Sequence, residues 1–370
     1  MSATATIAVN AAIVGQRPTG LGITTLQMIN ALDALGECLT VFTSCPEAVE
    51  AKHARVVRVS SLVRPERGAA GHLARLVWIE TALRWHVRRT RPAVLLNLMP
   101  EGLLASPVPQ VTMVHDVLPL HYPEEYPRQQ YYFRHYVPGV LAASTRVIIS
   151  SESSRRDIHR FYPRIPAANV RVVPLGYDTR RFTPGPASRP IAPPYALYLG
   201  NIIPHKNLGR LVDAFAALRG PADARLIIRG WGRRRNVDAL RARIDALGIA
   251  GRVDWQPYAD AASLPDLYRG ARVLLLPSLY EGFGLTTLEA MACGTPVLTS
   301  NVSSLPEVVG DAALVVDPLD TAAIKDALER ILADDALAED LRVRGLARAK
   351  LFSWERTARA LQATLREAAQ

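Results

Sequence analysis

Lysine is scarce in this sequence, and so are cysteine and long apolar runs. Only four of the 44 basic residues are lysines, against 34 acidic residues. Three cysteines cannot build a disulfide framework, and their spacing matches no metal site, which indicates a reducing cytosol. No uncharged apolar run reaches the ~18–20 residues that span a bilayer, and the N-terminus lacks the basic region of a signal peptide. We therefore expect a cytoplasmic protein, free in solution or peripheral to a membrane.

Length and composition favour two folded domains. With 370 residues the chain exceeds the ~100–200 residues of a typical domain, and 49% hydrophobic against 21% charged residues excludes a disordered chain. The net charge of +10 is uneven, because residues 1–182 carry +8 and residues 183–370 carry +2. A basic first half can face nucleic acid, an anionic membrane or an anionic substrate, or it can be an arginine-rich solvated face.

Short apolar runs alternate with amphipathic stretches along both halves. This alternation is typical of doubly wound α/β domains, in which helices join parallel strands. Residues 183–194 are Pro-rich and nearly devoid of apolar side chains, which predicts a linker. We expect Rossmann-like domains over 1–182 and 195–352, a cleft between their sheet edges, and a final helix over 353–370. The predicted elements of the second half include the strands Tyr195–Leu199, Arg225–Arg229 and Val253–Gln256 and the helix Thr321–Ala333.

The densest chemical signal is the segment Leu279–Val297, which follows a predicted strand and opens a helix. Gly282 and Gly284 let a ligand approach the backbone, and the amides of a helix N-terminus suit a phosphate. Glu281 precedes these amides and Glu289 lies two turns inside the helix, so their carboxylates are ~10 Å or more apart at ~1.5 Å per residue. Sugar hydroxyls on Glu281, ribose hydroxyls on Glu289 and phosphates between them describe a nucleotide sugar.

A second segment, Tyr198–Leu208, contains one of the four lysines. A predicted strand ends at Leu199, Gly200 permits a tight turn, and Lys206 lies at the entry of the next helix. The compact ammonium group of a lysine can bind a diphosphate. We therefore predict that Lys206 faces the diphosphate of the same ligand.

The run from Gly20 to Thr25 is a partial Gly-x-Gly-x-x-Gly motif. Thr25 replaces the third glycine, and no acidic residue ends the second predicted strand, where NAD would need a ribose-binding carboxylate. This argues against a dehydrogenase. The pattern predicts a loop over Gly15–Gly22 and a helix over Ile23–Leu35.

The segment around Glu281 resembles the Glu-x7-Glu motif of retaining glycosyltransferases of the GT-B fold, specifically glycosyltransferase family 4. Phe283, Pro296 and the run Ser303–Gly310 also match residues that are usual in that family. The resemblance extends over most of the chain and is strongest over 195–320. It implies two Rossmann-like doubly wound domains facing each other across a deep cleft, the first for the acceptor and the second for the nucleotide sugar. It also implies that the last helix crosses back to the first domain.

The resemblance assigns roles to individual residues. It implies that Glu281, Lys206 and His115 are catalytic, with His115 beside the donor sugar and Asp116 orienting it or capping a turn. The donor-binding residues it implies are Gly20, Gly22, Asn201, Gly282, Phe283, Gly284, Leu285, Thr286, Glu289 and Tyr258. Asn201 departs from the family, where an arginine often accompanies the lysine. Either Asn201 donates neutral hydrogen bonds instead, or another arginine substitutes.

Arginine and tryptophan are concentrated between Leu62 and Pro92. This combination on an amphipathic stretch suits an anionic membrane interface, and a packed helix with a solvated basic face explains it equally well. The residues predicted for a membrane or acceptor surface are Arg75, Trp78, Arg84, Trp85, Arg88 and Arg89.

The implied activity is transfer of a hexose with retention of configuration, without a metal or a cofactor besides the nucleotide sugar. The run Pro204–Asn207 resembles mannosyltransferases of bacterial surface polysaccharides, so we expect GDP-mannose as donor and a glycan or polyprenyl-diphosphate-linked oligosaccharide as acceptor. A UDP-sugar donor and an epimerase of the same fold stay open. A glycoside hydrolase would leave the phosphate cradle without a purpose, and a nucleic-acid binder lacks a recognition motif.

Overall fold

Two α/β units make up the chain, one formed by Met1–Gly176 with Trp354–Gln370 and the other by Tyr177–Ser353. Their geometry comes from a computed structural model. The residues it describes are 6–186, 195–219, 224–257 and 260–370. Most of the predicted linker over 183–194 lies outside these residues.

The first unit contains a seven-stranded parallel sheet. Its strands are β1 Ile7–Asn10, β2 Leu39–Thr43, β3 Arg55–Arg58, β4 Val94–Asn97, β5 Gln110–Met113, β6 Arg146–Ile149 and β7 Val170–Val172. They lie in the order β3-β2-β1-β4-β5-β6-β7, so the direction of winding reverses between β1 and β4. All residues of β1, β4 and β5 are buried, as expected for strands covered by helices on both faces.

Seven helices of the first unit lie between these strands. They are α1 Gly20–Ala34, α2 Gly68–Trp78, α3 Arg84–Thr90, α4 Leu118–His121, α5 Gln129–His135, α6 Val137–Ala142 and α7 Glu152–Phe161. A π-helical segment, Ile79–Leu83, joins α2 to α3 and makes them one continuous rod. The rod packs on the sheet through Ile79, Leu83 and Val87, which are fully buried.

Over its described residues, the second unit repeats this plan with six parallel strands. Its strands are β8 Tyr195–Leu199, β9 Arg225–Arg229, β10 Val253–Gln256, β11 Ala271–Leu276, β12 Val297–Ser300 and β13 Leu314–Val316. Their order is β10-β9-β8-β11-β12-β13, which reverses between β8 and β11. The helices are α8 Leu208–Ala216, α9 Arg234–Ala246, α10 Leu264–Gly270, α11 Leu285–Ala292, α12 Leu305–Val309, α13 Thr321–Ala333 and α14 Asp335–Ala349.

The last helix, α15 Trp354–Ala369, belongs to the first unit. Thr357 donates a hydrogen bond to the Pro174 carbonyl at 2.8 Å, and Gln362 donates one to Glu37 at 2.6 Å. Arg171 and Glu367 form an ion pair at 2.9 Å. These contacts, together with a buried apolar face, hold α15 against the first sheet and α1.

The predicted pair of Rossmann-like α/β domains is confirmed, with three local differences. The second unit begins at Tyr177 rather than after residue 182, because Phe182 packs edge-on against Tyr268 of that unit. Helix α1 begins at Gly20, so the predicted glycine loop is in part its first turn. The edge strand β3 was not predicted, because its two central valines are only half-buried and both its ends are arginines.

Candidate functional site

The carboxyl edge of the second sheet brings together two residues that lie 75 positions apart. Lys206 Nζ is 2.5 Å from Glu281 Oε1. The Lys206 side chain is 19% exposed and that of Glu281 12%, so water screens this ion pair less than it would screen a surface pair. At the switch point of a doubly wound sheet, such a pair stands where ligands of these folds bind.

Hydrogen bonds from backbone and side-chain amides join the loops that carry the two residues. Leu279 N–H donates to the His205 carbonyl at 2.7 Å. The buried Asn207 amide donates to the carbonyls of Pro277 and Pro318 at 2.9 and 2.7 Å. The residues before and after Lys206 are therefore fixed by hydrogen bonds. The position of Lys206 depends on the end of β11 as much as on its own loop.

Three serines hold Glu281 in place. The fully buried Ser278 donates to Glu281 Oε1 at 2.7 Å. The Glu281 N–H donates to Ser303 Oγ at 3.0 Å, and Ser304 Oγ donates to the Glu281 carbonyl at 2.9 Å. Sequence reasoning missed these roles. The available signal was the position of Ser278 two residues after a buried strand and the pair of serines following β12.

The start of α11 requires a glycine. Gly284 has φ +96°, and a Cβ there would lie 2.8 Å from Leu305 Cδ2. Helix α11 therefore begins at Leu285, and the amides of Leu285 and Thr286 fall in its first turn, where the helix itself supplies no acceptor. These amides follow Glu281 and Gly282 in the chain, and their predicted contact with a phosphate stays a prediction.

The Phe283 side chain packs within the second unit, and its predicted donor-binding role stays a prediction. Its ring is buried and lies edge-on to Phe352 at a centroid distance of 6.0 Å. A buried ring packs inside the unit and leaves only the Phe283 backbone for a ligand. Phe283 therefore anchors the loop that carries Gly282 and Gly284.

Glu289, the second glutamate of the motif, is bound to a tyrosine. The fully buried Tyr268 hydroxyl donates to Glu289 Oε2 at 2.7 Å. Burial raises the pKa of the Glu289 carboxyl to about 7, although this hydrogen bond and the charge of Arg181 act in the opposite direction. Glu289 therefore changes its charge near neutral pH, which its sequence position did not indicate.

Other predicted donor residues of the second unit are less constrained. Asn201 is exposed, and its carbonyl accepts a hydrogen bond from Tyr198 at 2.9 Å. Tyr258 lies outside the described residues. Within the part of the chain that the structure describes, no cluster of three or more His, Cys, Asp or Glu side chains could hold a metal ion.

His115 lies in the first unit, two residues beyond β5. It is buried, and its Nε2 is 3.0 Å from the Leu98 carbonyl, which can only accept, so Nε2 carries the proton and Nδ1 is an acceptor. Burial lowers the pKa of His115 to about 4, which makes it neutral at physiological pH. Asp116 accepts a hydrogen bond from Leu118 N–H at 2.9 Å, the turn-capping role that was one of its two predicted roles.

Gly20 and Gly22 occupy the first turn of α1. No described atom lies within 4 Å of a Cβ built on Gly20, and a Cβ on Gly22 would meet Pro18 at 3.0 Å. Leu21, between them, is 41% exposed and lines a cavity of the first unit together with His115. Their predicted contact with the donor diphosphate stays a prediction.

Arg75, predicted for a membrane or acceptor surface, is buried rather than exposed to a membrane, and it lines a cavity of the first unit. It is 5% exposed, its Nε and Nη2 donate to Glu101 at 2.7 and 3.0 Å, and its Nη1 donates to the Val63 carbonyl at 2.9 Å. A buried guanidinium needs such a partner because an unpaired buried charge is costly. The carboxylate of Glu101, after β4, was the signal that sequence reasoning missed.

The other residues of the predicted surface divide into two groups. Trp78 is half-buried against Phe42, and Arg84 is bound to Glu80 and, at 2.8 Å, to the Ala105 carbonyl, so neither is a free surface group. The exposed members are Trp85, Arg88 and Arg89. The Arg89 guanidinium lies 5.6 Å from the centre of the Trp85 ring.

Comparisons with known proteins show which family the chain belongs to. A family model described as Glycosyl transferases group 1 matches residues 185–348, and one described as Glycosyltransferase Family 4 matches residues 18–181. O-antigen chain mannosyltransferase B of Escherichia coli is 37% identical over 261 residues, which are 66% of this chain and 67% of that protein. A D-inositol 3-phosphate glycosyltransferase of Actinosynnema mirum is 36% identical over 62% of this chain and 59% of its own length.

The fold also matches solved structures. The sucrose-phosphate synthase of Thermosynechococcus elongatus superposes with a TM-score of 0.78 at 23% identity, over 98% of each chain. At this identity the likeness shows the fold alone. Family models match both units, and the match to the relative that is 37% identical extends over 67% of that protein. The chain therefore belongs to the GT-B glycosyltransferases of family 4.

Proposed function

We propose that this glycosyltransferase moves mannose from GDP-mannose, with retention of anomeric configuration, to a hydroxyl of a glycan or a polyprenyl-diphosphate-linked oligosaccharide in surface-polysaccharide synthesis. The observation that carries the proposal is the Lys206–Glu281 pair, which precedes the N-terminal amides of α11. A cation beside amide donors suits a leaving diphosphate, and a carboxylate beside them suits the hydroxyls of the sugar it carries.

The proposed reaction uses the charge of Lys206 rather than a metal or an added cofactor. A bound diphosphate competes with Glu281 for the Lys206 ammonium, and its arrival frees Glu281 Oε1 for a sugar hydroxyl. The acceptor oxygen attacks the anomeric carbon while the bond to the diphosphate breaks on the same face, and the acceptor proton passes to the departing phosphate oxygen. Lys206 and the amides of Leu285 and Thr286 stabilise the charge that develops on the diphosphate.

The choice of mannose rests on similarity. The relative that is 37% identical carries the name of a mannosyltransferase of the O-antigen chain. The relatives named for D-inositol 3-phosphate are of comparable identity, so a phosphorylated cyclitol is the alternative acceptor class.

A thermal-shift screen with GDP, UDP and ADP tests the donor. We expect GDP to raise the Tm more than the other two, because a ligand that binds only the folded state stabilises it. Transfer from labelled GDP-mannose, followed by NMR of the anomeric proton of the product, then tests retention. Stabilisation by UDP alone would refute the donor, and an inverted product would refute the same-face mechanism.

We further propose that the rod formed by α2 and α3 docks on an anionic membrane. Leu73, Val77 and Trp85 on this rod are 64%, 56% and 56% exposed, and Arg88 and Arg89 follow them. Apolar side chains beside arginines fit a negatively charged lipid surface, where each cation contributes roughly 1 kcal/mol. Among the described residues, no helix has both the length and the apolar character needed to cross a bilayer.

Co-sedimentation with phosphatidylglycerol vesicles tests this docking. The triple variant Trp85→Ala, Arg88→Glu, Arg89→Glu should lose binding at low salt, whereas Arg234→Glu, at an exposed arginine of the second unit, should bind like the unmodified chain. Equal binding by both variants would remove the membrane proposal.

A further inference from the structure

A tyrosine outside the Glu-x7-Glu motif fixes one oxygen of the second glutamate of that motif. Tyr268, on α10, donates a hydrogen bond to Glu289 Oε2 at 2.7 Å. Among the described residues, none donates a hydrogen bond to Glu289 Oε1. A carboxylate oxygen has two lone pairs, so Oε1 can accept hydrogen bonds from two neighbouring hydroxyl groups. Glu289 therefore has one oxygen bound within the protein and one that a ligand can use.

Packing and hydrogen bonding hold the Tyr268 side chain in one place. It is fully buried, and the Phe182 ring lies edge-on to it at a centroid distance of 5.8 Å. The Tyr268 carbonyl accepts a hydrogen bond from Thr295 Oγ1 at 2.6 Å. Burial raises the pKa of Tyr268 well above its ordinary value of 10, and the charge of Glu289 adds to this effect. The Tyr268 hydroxyl therefore keeps its proton at neutral pH and acts as a donor to Glu289.

An arginine near the start of the second unit acts on the same carboxylate. The Arg181 guanidinium lies 5.0 Å from the centre of the Phe182 ring, and its Nη2 donates a hydrogen bond to the Ala261 carbonyl. Burial raises the pKa of Glu289, whereas the hydrogen bond from Tyr268 and the positive charge of Arg181 lower it. Tyr268 and Arg181 therefore both favour the ionised form of Glu289.

Two further ionisable groups lie near Glu289 in the described part of the chain. Asp178 raises the pKa of Glu289, and its carboxylate accepts a hydrogen bond from Arg181 N–H at 3.2 Å. Cys293 follows α11, and burial raises the pKa of its thiol to about 12, so it is uncharged at neutral pH. No described ionisable group of α12 or α14, which also pack on α11, acts on the Glu289 pKa. Among the described residues, the groups that favour a charged Glu289 are therefore Tyr268 and Arg181.

We propose that Tyr268 is a positioning residue of the donor site: it holds Glu289 Oε2, so that the ionised carboxylate presents Oε1 to the two ribose hydroxyls, and Arg181 supports that charge. The inference rests on the proposed nucleotide-sugar transfer and adds two residues that act through Glu289. Hydrogen bonds to an ionised acceptor are roughly twice as strong as those between neutral groups, so protonation of Glu289 should weaken the ribose contact. Because the pKa of Glu289 is about 7, the contact should strengthen as pH rises through neutrality and level off above it.

Two nucleotides that differ only in the ribose isolate this contact. GDP and 2′,3′-dideoxy-GDP carry the same base and the same diphosphate, so the ratio of their dissociation constants reports the two hydroxyls, and the titration of the diphosphate cancels. Isothermal titration calorimetry over about two pH units centred on the Glu289 pKa of about 7 measures this ratio. We expect the unmodified chain to prefer GDP, and we expect this preference to grow with pH.

Two tyrosine substitutions form a matched pair for the test. Tyr268→Phe keeps the ring and removes the hydrogen bond to Glu289, so the midpoint of the pH profile should rise, and the preference for GDP near pH 7 should fall about threefold or more. Tyr195→Phe is the control, because it removes a buried hydroxyl that donates to the Leu267 carbonyl of α10 at 2.7 Å. Its pH profile should match that of the unmodified chain.

Two further variants test the charge itself. Glu289→Gln cannot ionise, so its preference for GDP should be small and independent of pH. Arg181→Gln removes a charge that lowers the Glu289 pKa, so its midpoint should also rise, and it serves as the test if Tyr268→Phe does not fold.

A purely structural role of Tyr268 would weaken the binding of both nucleotides equally and leave their ratio unchanged, which would overturn the inference. A pH-dependent preference in Glu289→Gln, or an unmodified chain that binds GDP and 2′,3′-dideoxy-GDP equally well, would also overturn it while leaving the donor proposal intact. If UDP binds and GDP does not, the donor proposal alone fails, and the same measurements with UDP and 2′,3′-dideoxy-UDP decide the role of Tyr268. Binding of neither nucleotide would overturn both proposals.

Discussion

Lys206 Nζ and Glu281 Oε1 are 2.5 Å apart, so the lysine after β8 and the first glutamate of the Glu-x7-Glu motif neutralise each other. A ligand that binds at either residue must break this ion pair. A nucleotide sugar can do so on both sides at once, because its diphosphate replaces the carboxylate and its hydroxyls replace the ammonium. The pair thereby favours a ligand that carries both groups.

Replacing Lys206 by methionine tests the charge on the leaving group. Lys206→Met keeps the length of the side chain and removes its charge, so we expect kcat to fall about 10²–10³-fold, the usual loss for one donor to a transition-state anion. Lys325→Met is the control, since Lys325 lies on α13 and pairs with Asp326 at 2.8 Å. A steady-state transfer assay with both variants measures the effect, and an unchanged kcat in Lys206→Met would exclude the proposed role.

Ser278 tests whether the position of Glu281 matters. Ser278→Ala removes a 2.7 Å hydrogen bond to Glu281 Oε1, so we expect kcat to fall about tenfold, equivalent to ~1.4 kcal/mol of activation energy. Thr299→Val removes another buried hydroxyl of the same sheet, which donates to the Leu276 carbonyl at 2.9 Å. The control should lower the Tm without lowering kcat, and equal kcat values for the two variants would assign Ser278 a purely structural role.

The raised pKa of Glu289 predicts that the stability of the chain depends on pH. Its pKa is about 7 in the folded chain against an ordinary value of 4.5, so from pH 4.5 to 7 the folded state holds a proton that the unfolded chain has lost. The free energy of unfolding therefore falls as pH rises through this window and levels off above it. Glu289→Gln lacks this titration, and its stability advantage should grow from pH 4.5 to 7.

Urea unfolding of the second unit across this pH range measures the effect. Glu339→Gln is the control, because Glu339 is exposed and the hydrogen bond from Arg342 lowers its pKa. A lowered pKa affects stability only below the ordinary value of 4.5, so this control should show no trend in the window. A pH-independent difference between Glu289→Gln and the unmodified chain would mean that the Glu289 pKa is ordinary.

Because Arg75 and Glu101 are buried as a pair, replacing Arg75 alone should lower the free energy of unfolding more than replacing both residues. Arg75→Met removes the guanidinium partner of the buried Glu101 carboxylate, which keeps only His72 Nε2 at 3.5 Å, and should cost about 3–5 kcal/mol in the free energy of unfolding. The double variant Arg75→Met, Glu101→Leu should cost less, because no buried charge remains. Arg359→Met, which breaks the exposed pair with Glu355 on α15, should cost at most about 1 kcal/mol. Equal losses in all three variants, measured by urea unfolding, would contradict the burial of the Arg75 charge.

The regular elements could be predicted closely from local patterns. The strands β8, β9 and β10 and the helix α13 have the bounds that periodicity indicated. A continuous apolar run identifies a strand buried on both faces, and a period near 3.6 identifies a helix packed on one side. Both signals are contained within the element, so no distant residue is needed to see them.

Element ends and edges were less predictable. The first turn of α1 contains two glycines, which reads as a loop, yet the turn is helical because the residues behind it are buried against the sheet. Strand β3 has two half-buried valines and pairs with β2 on one side only, so its apolar signal is weak. In both places the neighbouring elements decide the backbone conformation.

In the candidate site, too, some features could be predicted from the sequence and others depend on the fold. Composition and motifs singled out Lys206 and Glu281, because a rare lysine and a glutamate before a glycine-rich helix start carry their chemistry in their own segments. Their ion pair and the buried Arg75–Glu101 pair follow from the strand order, which brings distant loops and helices to one edge of each sheet. A sequence displays which residues can carry charge and which stretches are periodic. Coulomb attraction and hydrogen bonding act over a few ångströms, so which charges meet and which are buried depends on how the folded sheet arranges its loops.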